Sequence, residues 1–109
     1  METEIYAGKL VKGMTFNQKV WALTSRIPAG KVTTYGHIAK ALKTKAYRAV
    51  GNAMNRNPYA PKVPCHRVVG SNGSLTGYAY GLDKKRAILK SEGVEIKGDK
   101  VSLEQIFEF

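Results

Sequence analysis

Cysteine and acidic residues are both scarce in this chain of 109 residues. The single cysteine, Cys65, cannot be half of an internal disulfide, and with only two histidines it makes a poor zinc site. Acidic side chains number 8 against 18 lysines and arginines, so the formal net charge is +10. This excess favours a polyanionic partner, most often nucleic acid, over a merely soluble basic surface. Charge alone leaves DNA, RNA and anionic lipid open.

Long apolar runs are missing as well. None approaches the roughly 20 residues that span a membrane, and Met1–Ile5 lacks the basic start and apolar stretch of a signal peptide. A free cysteine without an export signal predicts a reducing, intracellular compartment, which is cytoplasm or nucleoid, or nucleus in a eukaryote. With 43% hydrophobic residues and no repeat or linker, residues 1–109 are expected to form one domain without an N-terminal accessory domain.

Helical patterns dominate the chain. Thr15 and Gln18 form a capping-box pattern before apolar residues at helical spacing, while Thr34 and Thr44 are candidate caps of two further helices. The turn between those two helices is short, which predicts helix-turn-helix geometry. The predicted helices run from about Phe16 to Arg26, from Tyr35 to Leu42, from Lys45 to about Asn55, and from Lys84 to Ser91.

Two hairpins are predicted beside these helices. Gly70–Ser74 contains an Asn-Gly pair that tolerates positive φ, and Gly98–Asp99 would join Val94–Lys97 to Lys100–Val101. Ser102–Gln105 is a further capping-box pattern. The expected fold is therefore mainly α with small β elements, and it contains a helix-turn-helix.

The third predicted helix carries an unusual face. It consists of Ala and Gly, with Arg48 projecting among them. Small residues allow a close approach, either to a neighbouring helix or to an external surface. Together with the charge and the short turn, this face favours a helix that contacts nucleic acid.

The chemical centre of the sequence is the neighbouring pair Cys65 and His66. A free thiol of pKa ~8.5 needs a base or a positive charge before it can serve as a nucleophile. Adjacent side chains on extended chain point apart, so contact requires a turn or a bridging water. Glu92 is a candidate to orient the imidazole. The alternative is that Cys65 is only a small buried apolar residue.

Several motifs occur in an order that is typical of one family. They are Pro64–Val69 with Asn57-Pro58 before it, Tyr35 in Thr33–Gly36, Arg48–Gly51, and the end from Gly81-Leu82 to Glu92-Gly93. From about Phe16 to Gly93, the chain resembles the C-terminal active-site domain of the O6-alkylguanine-DNA alkyltransferases, also called methylated-DNA–protein-cysteine methyltransferases.

The resemblance implies DNA repair by direct reversal. Such a protein has a winged helix-turn-helix DNA-binding domain and binds double-stranded DNA in the minor groove. It extrudes an O6-alkylated guanine and transfers the alkyl group irreversibly to its own cysteine. No metal and no cofactor are implied, nor is a membrane partner, and a monomer is expected.

The resemblance also implies roles for the residues around the thiol. Cys65 is the acceptor, His66 acts through a water as its base, and Glu92 orients the imidazole. Asn57 holds the turn by hydrogen bonds to the backbone near Cys65. Carbonyls near Cys65 and Val68 accept from the guanine amine.

Other implied roles concern DNA and the extruded base. Arg48 fills the gap left in the stack, and Tyr35 helps to rotate the phosphate and hydrogen-bonds the base. Ala79 stands where serine is common, so only its backbone N–H could serve O6, and Tyr80 adds bulk nearby. The remaining expected substrate or DNA contacts are Tyr78, Ala46, Gly51 and Asn52.

Two alternatives remain beside the transferase. The short chain also resembles the alkyltransferase-like proteins, which lack the acceptor cysteine, usually have tryptophan there, and recruit excision repair to the lesion. Cys65 argues against that class. A plain winged-helix module without lesion chemistry is the other alternative, and it would show no preference for alkylated guanine.

Overall fold

The computed structural model describes residues 1–76, 78 and 80–109. Over these residues the protein is mainly helical with small β elements, as the sequence predicts. Within this part of the chain, no helix is both long and apolar enough to cross a lipid bilayer. The helices are α1 (Glu2–Tyr6), α2 (Phe16–Thr24), α3 (Tyr35–Ala41), α4 (Tyr47–Asn55) and α5 (Leu82–Ser91), with short 3₁₀ helices at Cys65–Arg67 and Leu103–Gln105.

Local capping explains where the helices begin. Thr15 and Gln18 form the expected capping box at α2, and the Thr34 side chain accepts from the His37 N–H at α3. Thr44 instead accepts from the Ala46 N–H, so α4 starts at Tyr47 rather than at the predicted Lys45.

The first helix, α1, is absent from the sequence prediction. A helix of five residues is marginal in isolation. Its Ile5 is fully buried in a small cluster with Met14, Ala22 and Val63. Tertiary packing therefore stabilises a helix that local propensity does not specify.

The described strands form two small sheets. Strand β1 (Thr33–Thr34) pairs in parallel with β2 (Val68–Val69), whereas β3 (Ile96–Lys97) pairs antiparallel with β4 (Lys100–Val101). The hairpin around Gly98–Asp99 is thus confirmed.

The hairpin predicted at Gly70–Ser74 is wrong in its pairing. The turn itself is present, because the Gly70 N–H donates to the Ser74 carbonyl at 2.8 Å and Gly73 has φ +85°. However, β2 takes β1 as its partner, and Ser74 forms a bridge with Lys100 instead. The residues of the turn determine that the chain bends at Gly70–Ser74. Burial determines that β2 pairs with β1.

The helix-turn-helix prediction is confirmed by α3, the turn at 42–46 and α4. The indole N–H of Trp21 on α2 donates to the Ala53 carbonyl at 2.8 Å, and Val50 and Ala53 are fully buried. One face of α4 therefore packs inward, while Arg48 is exposed on another face. The packing alternative is thus confirmed for one face of this helix, and contact of the exposed face with nucleic acid stays a prediction.

Two hydrophobic clusters meet at β2. Val68 belongs to the cluster built on α2, α3 and α4, and Val69 belongs to the cluster that includes Leu89 and Val101. Successive side chains of a strand point to opposite sides, which accounts for this division. The segment that carries Cys65 and His66 is consequently fixed between two packed cores.

Candidate active site

The turn at Cys65–Arg67 fixes the thiol in space. The Cys65 N–H donates to the Val63 carbonyl at 2.9 Å, and the Asn57 amide donates to the same carbonyl at 2.8 Å. The Asn57 side-chain oxygen accepts from the Tyr59 N–H at 2.9 Å. Asn57 thus joins the end of α4 to the residue two positions before the thiol. Cys65 is 8% exposed, so its thiol is nearly enclosed by the core.

His66 and Glu92 lie in direct contact. The imidazole Nε2 is 3.1 Å from each carboxylate oxygen of Glu92, and His66 is only 2% exposed. Helix α5 ends at Ser91, so its C-terminal end delivers Glu92 to a histidine 26 residues earlier in the chain. The structure therefore brings His66 and Glu92 together beside the turn that carries Cys65.

Arg67 completes this cluster, and sequence reasoning gave it no role. Its guanidinium donates to both oxygens of Glu92, at 2.9 and 2.6 Å, and to the Ile27 carbonyl at 2.7 Å. Such two-pronged contacts fix a carboxylate strongly. The basic residue next to His66 was the available signal, but sequence spacing could not identify its partner.

The charges of the cluster determine which imidazole nitrogen carries the proton. Burial lowers the pKa of His66 more than Glu92 raises it, so the ring is neutral at neutral pH. Burial alone would raise the pKa of Glu92, but hydrogen bonds from Arg67 and His66 outweigh this effect and lower it. An ionised Glu92 accepts the proton on Nε2, which assigns the free lone pair to Nδ1. This Nδ1 atom is buried and has no hydrogen-bond partner among the described residues.

Lys85 is a second residue that sequence reasoning missed. It is fully buried, and its Nζ donates to the carbonyls of Val68 and Thr76, each at 2.6 Å. Burial lowers its pKa to about 8, although negative charge at Cys65 opposes this shift. Lys85 joins β2 to the segment that leads to Tyr78. The Val68 carbonyl already accepts this bond, and its second lone pair remains for another donor.

Lys85 leads to an expected pH dependence of stability. Its pKa is about 8 in the folded protein against an ordinary 10.5, so between these values the unfolded chain holds a proton that the folded protein has released. Stability therefore rises with pH across this window, by up to about 3 kcal/mol relative to Lys85→Met. Urea unfolding of both proteins from pH 7 to 10.5 measures the difference between their free energies of unfolding. The other titrating groups are the same in both proteins, so their contributions cancel in this difference.

The exposed neighbour Lys84 is the matched control for this experiment. Lys84→Met should follow the pH profile of the unmodified protein. Parallel profiles for Lys85→Met and the unmodified protein would show that Lys85 titrates alike in both states.

Tyr35 and Tyr78 approach the thiol from the other side. Burial raises the pKa of both phenols, with a smaller contribution from negative charge at Cys65, so both remain donors at neutral pH. The Tyr35 hydroxyl reaches the Thr76 carbonyl at 3.5 Å, and the Tyr78 ring meets the His66 ring edge-to-face with centroids 6.5 Å apart. Ala79, the other expected contact here, lies outside the described residues.

A concavity of about 610 Å³ opens beside Tyr35 and α4. Arg48 and Gly51 line it together with Tyr35, and Gly36, Tyr47 and Ser71 complete the lining. Ala46, which directly precedes α4, and Asn52 on α4 are exposed but do not line the concavity. Among the described residues, no group of three or more His, Cys, Asp or Glu side chains is arranged to hold a metal ion.

Comparisons with known proteins give one consistent result. The family profile described as "6-O-methylguanine DNA methyltransferase, DNA binding domain" matches residues 15–94. A methylated-DNA–protein-cysteine methyltransferase of Methanosarcina mazei is 55% identical over 87 residues, which are 79% of this chain and 55% of that protein. Its namesake in Mycobacterium bovis is 47% identical over 83 residues, 75% of this chain and 50% of that protein. The chain spans about half the length of these curated relatives.

Solved structures agree with the sequence relatives. Mycobacterium tuberculosis OGT in complex with DNA is 42% identical with a TM-score of 0.70, over 84% of this chain and 62% of that one. S. pombe Atl1, in complex with damaged DNA containing O6-carboxymethylguanine, is 33% identical with a TM-score of 0.75, over 85% of this chain and 94% of that one.

Proposed function

Because the chain belongs to the 6-O-methylguanine DNA methyltransferase family, we propose that it transfers the alkyl group of O6-alkylguanine in duplex DNA to its own Cys65. The observation that carries this proposal is that Cys65 and His66 share one 3₁₀ turn and that the imidazole of His66 contacts the carboxylate of Glu92. A nucleophile, a base and a group that orients the base are the parts that thiol alkylation needs. A merely structural cysteine would not require them.

The transfer is a single displacement. His66 takes the thiol proton at Nδ1, directly or through a water, and the thiolate sulfur attacks the alkyl carbon bound to O6. The new S–C bond forms as the C–O bond breaks, and the electron pair of that bond leaves with guanine. A phenol such as that of Tyr35 protonates the departing base, so neutral guanine is restored. The phenolate then regains a proton from water, and the imidazolium of His66 releases one to water. The thioether on Cys65 is stable, and each molecule acts once.

Two charged groups assist this step. Lys85 carries a positive charge at pH values below its pKa of about 8, and it lies close enough to Cys65 for the two charges to interact. This positive charge attracts the negative sulfur that attacks the alkyl carbon. Glu92 stabilises the imidazolium that forms when His66 takes the proton.

Helix α4 is the proposed DNA-binding element. Arg48 would enter the stack from the minor groove, while Gly51, Ala46 and Asn52 let the helix approach the backbone closely. Extruding a nucleotide costs a few kcal/mol, and an inserted side chain offsets part of that cost. The net charge of +10 supplies the attraction to phosphate.

We propose that this transfer needs no cofactor and that the protein acts as a monomer. It acts where the genome lies, in the cytoplasm or nucleoid, or in the nucleus of a eukaryote. The carbonyls at Cys65 and Val68 and the side chain of Tyr78 would surround the extruded base.

A lesion sensor is the second candidate function. The observation that favours it is the match to 94% of the Atl1 chain, whose structure contains damaged DNA. Cys65, held next to a histidine that is neutral at neutral pH, favours transfer over sensing.

Intact-protein mass spectrometry distinguishes these candidates. The protein is incubated with a duplex carrying one O6-methylguanine, and the product is peptide-mapped. We expect a gain of one methyl group on Cys65 and restored guanine in the DNA. Tight lesion binding without a mass gain would instead identify a sensor. Neither lesion preference nor mass gain would leave a plain DNA-binding module.

A further inference from the structure

Tyr47 is a large aromatic residue on the outer face of the helix-turn-helix. It is the first residue of α4, precedes Arg48, and is 54% exposed. Its ring lies over the start of α3, with Cε1 4.0 Å from where a Cβ on Gly36 would be. The small residues and Arg48 of this helix were assigned roles from the sequence, whereas Tyr47 was assigned none.

The ring forms a ridge between two concavities. On one side lies the concavity of about 610 Å³ that Tyr35 and Arg48 line. On the other side lies a concavity of about 400 Å³, lined by Lys40, Lys43 and Lys45 together with Thr44. Tyr47 and Gly36 line both. The ridge therefore separates the surface next to the proposed lesion site from a basic surface.

The basic concavity is held in a defined shape. Lys43 has φ +57°, a conformation uncommon for residues other than glycine. The backbone accommodates it through the Lys43 N–H to the Lys40 carbonyl at 2.9 Å and the Thr44 N–H to the Ala39 carbonyl at 3.0 Å. Three lysines gathered around such a turn suit the phosphates of a nucleic-acid backbone.

We propose, on the basis of the proposed function, that Tyr47 is a positioning residue for nucleotide extrusion. Its ring packs against the sugar and base edge of the damaged strand, between the nucleotide displaced by Arg48 and the phosphates bound by the three lysines. Aromatic rings contact any base or sugar without reading its identity. The contact sets how deeply Arg48 enters the minor groove and keeps the lysine-bound phosphates in register with it.

The experiment compares Tyr47→Ala, Tyr47→Phe and the control Leu103→Ala. Leu103 is 60% exposed and lines neither of the two concavities. For each variant we would measure single-turnover methyl transfer from an O6-methylguanine duplex, the affinity for that duplex over a salt series, and alkylation of Cys65 by iodoacetamide without DNA.

We expect Tyr47→Ala to slow transfer from the duplex by about tenfold, the size of one lost stacking contact. Tyr47→Phe and Leu103→Ala should stay within about twofold of the unmodified protein, because the aromatic face and not the hydroxyl makes the contact. Iodoacetamide alkylation should be unchanged in all three. The salt dependence of binding should also be unchanged in Tyr47→Ala, because the substitution removes no charged group.

Transfer by Tyr47→Ala at the unmodified rate would overturn the proposal. So would an equal slowing of iodoacetamide alkylation, since that would reveal a distorted active site. If the unmodified protein transfers no methyl group, the proposed function fails, and duplex affinity then decides this inference separately. A loss of about tenfold in the affinity of Tyr47→Ala would still support the contact, and equal affinity would exclude it.

Discussion

Replacing Cys65 by serine is expected to abolish methyl transfer while leaving lesion binding intact. A hydroxyl is far less acidic than a thiol, so a neutral histidine cannot ionise it at neutral pH. The rate should fall by more than about a thousandfold. The side chains differ little in size, and the backbone bonds of Cys65 and Asn57 to Val63 remain. Mass spectrometry measures transfer, and fluorescence anisotropy measures affinity for the O6-methylguanine duplex.

Thermal unfolding of Cys65→Ser and Cys65→Ala supplies the control for this prediction. Cys65 belongs to the main hydrophobic cluster, so both variants should unfold at somewhat lower temperature. Loss of binding together with loss of transfer, in variants that still fold, would show that the thiol is needed for the structure of the binding surface. Residual methylation of Cys65→Ser at another side chain would contradict the assigned acceptor.

Glu92→Gln is expected to have the second-largest effect on transfer. The carboxylate accepts from His66 and twice from Arg67, whereas the amide offers one acceptor oxygen and a donating NH₂ group. An NH₂ facing Nε2 favours the other imidazole tautomer, which places the proton on Nδ1 and removes the base. An orienting residue of this kind contributes about a hundredfold or more.

The pH profile separates this role from a structural one. Hydroxide ionises a thiol without a base, so the deficit of Glu92→Gln should shrink as pH rises. A deficit that is constant with pH would contradict the tautomer argument. Glu104→Gln, which changes an exposed glutamate, is the matched control and should transfer at the unmodified rate.

Stability should also fall in Glu92→Gln. Arg67 and Glu92 have side-chain exposures of 16% and 15%, so breaking their pair leaves a partly buried charge. We expect a loss of about 2 kcal/mol in the free energy of unfolding, below the range for fully buried pairs because water still reaches both groups. Urea unfolding at neutral pH measures it.

Short-range patterns were enough to predict most of the helices. The capping box at Thr15, the cap at Thr34 and helical apolar spacing act within a few residues of chain. The hairpin around Gly98–Asp99 follows from turn chemistry in the same way. The ordered motifs around Cys65 also identified the family, because they depend on residue identity and order, and not on contacts.

Tertiary structure alone decided the features that join distant segments. Burial of Ile5 stabilises α1, and the parallel pairing of β1 with β2 replaces the expected hairpin partner. No local pattern specifies such contacts, because their free energy comes from packing after the chain has collapsed.

The active site shows the same division. The sequence by itself predicted a reactive centre at the lone thiol beside His66, and the family resemblance predicted Glu92 as its third member. Only the fold revealed that Arg67 holds Glu92 and that Lys85 is fully buried at the carbonyls of Val68 and Thr76. Charged residues are ordinarily expected at the surface. Burying one costs desolvation free energy that hydrogen-bonding partners must offset, and the sequence does not show which distant residues become those partners.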